Sequence, residues 1–522
     1  MLKVSAIVPV HNPGGNIDEC IESLAGQSLP GDEYEVILVD DGSTDATPAR
    51  LDALAAEHPN VRVEHIPPSG WAGRPRNVGL SLARGQFVYF VDDDDWVGAE
   101  ALERLHSRAV ADEADVVVGK VVGRGKFVPR RLFERNRSGV GLDWPPLLTL
   151  LTPHKLFRRS FLDEHGVRFP EGPRRLEDHV FTMHAYFHAR AISVLADYPC
   201  YYWVLRPGER DNASFQAFDP EQYYANLREV LDLVVEHTEP GALRERLLAH
   251  WYRGKMLGRV GGTWFVNRSE EVRRAFHVEV DALAEERFGP WVDRWLPANL
   301  RVRSELLRAH SLESLGTLAE WEADLHAEVA IGDARLRPDG ALAMPFSARL
   351  VDGADEPLLF SRHGSRAFWV PPAGLRGVLP DEALDMTSAL GNATASLTIR
   401  SLDDGSEFVL PGTVEMEDVA TGLMRGEALV EPSRAAAGAP AHAGRWAVLG
   451  TVTVCGFNAV GRARSERSSA EYAIEIDARG AVVEHGSLGV SSAVKGKLAR
   501  RLPGMAAAFR RAQRRRRAAA TH

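Results

Sequence analysis

Apolar and polar positions along the first 120 residues alternate between two periods. Apolar runs rich in β-branched or aromatic residues at 4–10 (VSAIVPV), 34–40 (YEVILVD), 86–91 (QFVYFV) and 115–122 (DVVVGKVV), together with the more polar 61–66 (VRVEHI), read as strands. Between them the apolar positions recur at helical spacing, as with Ile17, Cys20, Ile21 and Leu24 behind the candidate N-cap Asn16. Further helices are expected over 45–57, 75–85 and 99–111. Strands that are apolar on both faces predict an α/β fold with a Rossmann-like, mainly parallel sheet covered by helices. Ligands of such sheets bind at the carboxyl ends of the strands. The segments expected there are PVHNPGG (9–15), DDGSTD (40–45), IPPSGWAGRPRN (66–77) and DDDDW (92–96), which hold the unusual polar chemistry of this half. They mark one edge of the sheet as a candidate site.

Beyond residue 140 the pattern loosens. The stretch 152–166 reads as a helix with flanks, and a second helix begins at an acidic pair within 174–190. Residues 218–325 read as helical throughout. After 326, short alternating runs rich in Gly, Pro and Asp predict antiparallel β-sandwich structure. The expected organisation is an α/β domain over 1–217, a helical linker over 218–325, β-sandwich domain(s) over 326–490 and a basic tail over 491–522.

Charge sharpens this division. The chain carries −10 overall, yet from Lys495 onward it has ten basic residues and no acidic ones, which leaves the preceding body at −20. An acidic body argues against nucleic acid as the ligand. The tail suits either an anionic membrane surface, as a peripheral contact, or plain solvation. Three separated cysteines exclude a disulfide framework, and no apolar run reaches the ~18 residues that span a bilayer. A cytoplasmic protein is expected.

The run Asp92–Asp95 raises the chemical question. Adjacent carboxylates repel, so the stretch is either a solvated acidic turn or a seat for a hard cation, Mn2+ or Mg2+, that neutralises a substrate diphosphate. Asp40–Asp41 offers an acceptor for a nucleobase N–H, and Arg74 and Arg76 offer fixed positive charge for phosphate oxygens. Together these point to a nucleoside-diphosphate substrate.

The blocks SAIVPVHNPGGNIDECIESLAGQSL, EVILVDDGSTDAT, GRPRNVGLSLARGQFVYFVDDDDW and RRLEDHVF, in that order over about 3–215, resemble the family 2 glycosyltransferases of GT-A fold. That resemblance implies inverting sugar transfer from a UDP-sugar donor with Mn2+ or Mg2+. It implies nucleobase contacts at Pro9 and Asp41, donor contacts at Arg76 and Asn77, ribose and sugar contacts at Asp92 and Asp93, and a metal ligand at Asp94. It places the general base at Asp178, with Glu177 beside it as an acceptor-binding or orienting group. LEDHVF (176–181) and the domain order are most similar to the poly(ribitol-phosphate) glycosyltransferases of wall teichoic acid, which implies a polymeric or lipid-linked glycan acceptor and a homotrimer. Those enzymes carry a metal-binding histidine where this chain has Asn212.

Plainer alternatives stand beside these. Asp178 also suits a helix N-terminus as a dipole partner, Arg206 and Ser214 are diphosphate contacts or loop residues, and Lys155 is structural or ligand-facing. His179, His184 and His188 form a helical stripe that reads as ordinary packed or solvated histidines, and His11 as a loop residue. A sugar-1-phosphate nucleotidyltransferase would need a Gly-rich phosphate loop, for which PVHNPGG is a poor match. A catalytically inactive transferase-fold scaffold or carbohydrate-binding protein is the rival outside enzymes.

Overall fold

The structure, a computed structural model, describes residues 2–124, 126, 128–205 and 218–487. The chain divides into two compact units at Leu248–Ala249, with Ala436–Gly438 grouped with the first.

The first unit opens as the sequence predicts, with β1 (Val4–Val10), α1 (Ile17–Ala25), β2 (Tyr34–Asp41), α2 (Thr47–Glu57), β3 (Val61–Ile66), α3 (Gly73–Leu82) and β4 (Phe87–Phe90). There follow β5 (Trp96–Val97), α4 (Ala101–Ala111), β6 (Val116–Arg124), β7 (Arg137–Val140), β8 (Leu156–Arg158), α5 (Arg159–Glu164), α6 (Glu177–His188), β9 (Ile192–Val204) and α7 (Pro220–Glu236). Among the described residues these make a nine-stranded sheet in the order β3-β2-β1-β4-β8-β6-β9-β5, with β7 on β9. Strands β3, β2, β1 and β4 run parallel, and β1 and β2 are buried along their whole length, as both-face apolar runs require.

Two expectations change here. The stretch 152–166 is not one helix: Leu156–Arg158 forms β8, antiparallel to both β4 and β6, and only six residues of helix follow. Three residues are too few to declare a period, and the buried pair Leu156–Phe157 fits either element. Asn16 stands at the N-cap of α1, but its side chain makes no capping bond, because a 3-10 turn over Gly14–Asn16 already leads the chain into the helix. The 13-residue β9 carries Asp197 and Pro199 inside it and shifts register against β6 at Lys120, which hid it from the apolar pattern.

The second unit holds helices Glu270–Arg287, Ala298–Arg308 and Leu312–Asp324, then two six-stranded sheets among the described residues. One is centred on Leu342–Val351 between His326–Ile331 and Leu423–Val430, the other on Gly444–Val454 between Thr394–Ser401 and Tyr472–Ile476. Pairing is antiparallel except at the short contact of Ala330–Ile331 with Arg464–Ser465. The sheets approach closely at Gly450, where a Cβ would lie 2.4 Å from Val329 Cγ2. No helix among the described residues is long and apolar enough to cross a membrane.

Candidate active site

The carboxyl ends of β1, β2 and β4 lie side by side, and their loops are tied to one another. Pro9 is buried in β1 opposite Val39 of β2. Just beyond it, Asn12 adopts a left-handed backbone (φ 48°), donates its N–H to Ser43 Oγ at 3.0 Å, and accepts from the Thr44 N–H through Oδ1 at 2.9 Å. The His11 ring meets the Asp41 carbonyl at 2.9 Å. Asp41 accepts both the backbone N–H and the hydroxyl of Ser69 at 2.8 Å, so it anchors the loop after β3. Asp40 turns the other way, to the Ser43 N–H and the His65 ring. Gly42 between them and Ser43 has φ 68°, and a Cβ there would strike Pro68.

The four acids after β4 do not act alike. Asp92 accepts Arg76 Nη2 at 2.7 Å on Oδ1 and faces His154 Nε2 at 3.0 Å on Oδ2. Burial opposes its ionisation, but His154 and Arg76 outweigh burial and hold the carboxyl far below the ordinary range. Asp95 is fully buried and structural, accepting the Tyr201 hydroxyl and the Val204 N–H, both at 2.7 Å; burial and Asp94 raise its pKa well above the usual value. Asp93 accepts the His11 N–H at 3.3 Å, and burial together with Asp94 and Asp92 pushes it up to about 8. Asp92, Asp95 and His154 bring ligand atoms within 4.8 Å of one another. Each is committed to protein partners, so that trio is an internal network. His154 is stacked on Tyr201 at 4.1 Å, and sequence reading passed over both residues; only their sequence-distant partners reveal them.

The start of α6 reaches the same place. Leu176, at its N-cap, is a buried non-glycine residue in the left-handed region (φ 65°), a strained setting that turns the chain abruptly into Glu177 and Asp178. Glu177 Oε1 accepts Arg76 Nη1 at 3.3 Å. Arg76, 5% exposed, therefore bridges the acid run after β4 and the acidic pair of α6. Asp178 Oδ1 accepts the His179 N–H at 2.8 Å, a first-turn helix contact. Lys155 is fully buried and donates to the Thr152 carbonyl; burial lowers its pKa to about 7 against the opposing influence of Asp178.

Asn77 faces away from the acids. Its Nδ2 donates to the Phe169 carbonyl at 2.9 Å and to Glu171 Oε1 at 3.0 Å, and its Oδ1 accepts the Phe169 N–H at 2.9 Å, which clamps that loop to α3. Half-buried Arg74 has no carboxylate partner among the described residues. Arg206, Asn212 and Ser214 lie outside the described residues.

A mainly parallel sheet with a crowded acidic strand end, closed by an arginine and a second acidic pair, defines a GT-A domain. Residues 5–169 match the model of "Glycosyl transferase family 2", and the chain belongs to that family. Residues 220–319 match "Glycosyl transferase TarS linker domain". The chain is similar to a poly(ribitol-phosphate) beta-glucosyltransferase of Bacillus spizizenii, 30% identical over 64% of this chain and 53% of that protein. It is also similar to the poly(ribitol-phosphate) beta-N-acetylglucosaminyltransferase TarS of Staphylococcus aureus, 35% identical over 48% and 44%. It thus spans about half the length of these curated relatives. The crystal structure of S. aureus TarS 1–349 in complex with UDP-GlcNAc superposes with a TM-score of 0.54 at 30% identity, covering 61% of this chain and 91% of that one.

Proposed function

We propose that this chain is an inverting, metal-dependent glycosyltransferase that moves a sugar, an N-acetylhexosamine, from a UDP-sugar to a hydroxyl of a cell-envelope polymer or lipid-linked glycan. The observation that carries the reading is the Arg76 bridge, which joins Asp92 to Glu177 and so sets the α6 acids against the acidic strand end. Asp178 is the general base: it takes the proton of the acceptor hydroxyl as that oxygen bonds to the anomeric carbon, while the bond from that carbon to the diphosphate breaks and UDP leaves. Glu177, held by Arg76, orients the acceptor. Pro9 and Asp41 flank the nucleobase, Asp92 and Asp93 the ribose and sugar, and Arg74 is a further cation for the diphosphate. Arg76 and Asn77 act by positioning the donor loops, and Arg206 and Ser214 complete the donor contacts.

The oxygen donors beside Asp94 fit a hard dication. Burial first, and then the repulsion of Asp94 and Asp92, pushes Asp93 up to about 8, and a cation there would offset that repulsion. Mn2+ or Mg2+ on Asp94, with Asp93 alongside, would supply charge to the departing diphosphate.

The TarS fragment that binds UDP-GlcNAc and the relatives named for poly(ribitol-phosphate) favour UDP-GlcNAc as donor and a ribitol-phosphate polymer as acceptor. The C-terminal sheets serve oligomerisation, as a trimer, or glycan binding, and the basic tail supports a cytoplasmic protein held peripherally at the membrane.

The test is UDP release from a panel of UDP-sugars, with Mn2+ and with chelator. Release from UDP-GlcNAc that chelator and Asp94→Ala abolish is expected. Asp178→Asn should lower transfer by about 10²–10⁴ while UDP binding survives. Absence of both release and metal-dependent UDP binding would leave the inactive scaffold as the reading.

A further inference from the structure

The opposite end of α6 carries a second cluster that sugar transfer does not use. His184 and His188 stand one turn apart on one face of α6, and His237, the C-cap of α7, meets them. Nitrogen atoms of the three rings lie within 4.8 Å of one another, and all three side chains are half-buried. Ring centroids are 5.1 Å apart for His184–His188, 5.2 Å for His188–His237 and 5.6 Å for His184–His237.

Three features separate this group from packed core histidines. Neither His184 nor His188 makes a ring hydrogen bond among the described residues. His237 does: its Nδ1–H donates to the Leu233 carbonyl at 3.1 Å, which fixes the tautomer and leaves the Nε2 lone pair for a ligand. Ligating imidazoles typically hold their second nitrogen in this way. The rings are also buttressed, His188 by His165 stacked at 4.4 Å and His237 by Phe187 at 5.0 Å.

We propose that His184, His188 and His237 form a site for a borderline transition-metal dication of the zinc class. Three imidazole nitrogens favour such ions over Mg2+ or Ca2+, which take oxygen. Zinc–nitrogen bonds of about 2.0–2.1 Å place ligand nitrogens roughly 3.4 Å apart, so small ring rotations close the present spacing. Half-exposed rings leave the fourth position to water or to Glu236, the exposed neighbour of His237. The ion would pin α6, whose first turn carries Glu177 and Asp178, to the end of α7. It is separate from the cation at Asp94 and needs no assumption about the sugar chemistry.

The test uses the full chain, stripped with chelator and titrated with micromolar Co2+ in excess Mg2+, which occupies oxygen sites. One Co2+ per chain, with the intense visible absorption of a low-coordinate nitrogen site and displacement by Zn2+, is expected. His188→Ala and His237→Ala, on different helices, should each weaken binding at least ~100-fold. Asp94→Ala should leave it unchanged. Zn2+ should raise the wild-type Tm and not that of either histidine variant, with melts in chelator reporting whether each variant folds. Should both fail to fold, Zn2+ must shield the three wild-type imidazoles from diethyl pyrocarbonate. Pale octahedral absorption, binding that survives both variants, unshielded rings or no binding would overturn the site.

Discussion

At the scale of single residues, Arg76 decides the geometry of the candidate site. Its guanidinium spans Asp92 and Glu177, which a lysine ammonium cannot do with the same planar fork. Removing one partner of a buried ion pair costs about 3–5 kcal/mol, since a charge stays buried and uncompensated. Arg76→Met should therefore lower the urea midpoint sharply, and Arg76→Lys should fold better yet release UDP more slowly. Lys155 sets a pH dependence. Its pKa falls from 10.5 free to about 7 in the fold, chiefly through burial. Between those values the unfolded chain binds the proton and the folded chain does not, so stability rises with pH from about 7 to 10.5. Below 7 the full cost of burying the charge remains. Urea denaturation across pH 7–10 should show that rise in the wild type and a flatter profile in Lys155→Met. The run of four acids was legible in the sequence, but their division of labour was not. Asp92 draws on Arg76 and His154, 16 and 62 residues away, and Asp95 on Tyr201, 106 residues away. Local spacing carries no record of such partners.

At the scale of elements, α3 shows how tightly the site's scaffold is set. A Cβ at Gly79 would lie 2.3 Å from Ile7 Cγ2, so glycine lets the helix lie directly on β1. Gly79→Ala gains up to about 1 kcal/mol of helix propensity, but overpacking costs about 1–3 kcal/mol. The clash should win, and thermal melts should show a lower Tm. Ile7→Ala with Gly79→Ala should cost less than the two single changes added together. The strands β1 to β4 and their intervening helices were legible because each is long enough to display a period. Strand β8 was not, being three residues held by β4 and β6 on either side, and β9 concealed itself behind Asp197 and Pro199. Pairing, not propensity, makes those two strands.

At the scale of the whole molecule, the first unit contains every described residue assigned to donor and acceptor chemistry. A fragment of residues 1–325 should thus retain metal-dependent UDP release close to that of the full chain, and sedimentation of the two would report whether the C-terminal sheets carry the oligomer. The change to short alternating runs after residue 326 announced those sheets, since half-buried antiparallel strands write their facing directly into the sequence. Which strands pair was hidden, because Thr394–Ser401 joins Gly444–Val454 across a long excursion.

Leu176 has a consequence for how substitutions would distribute over this protein. Glycine there would relieve a strain of about 1–3 kcal/mol against a cost of at least about 2–5 kcal/mol for emptying a buried leucine site. That partial offset lets Leu176→Gly pass a screen for folded protein more readily than the same change at an unstrained buried leucine. The residue nonetheless aims Glu177 and Asp178. A screen for activity would register it at once, and a map of such soluble but inert variants would trace the outline of the site into the hydrophobic core.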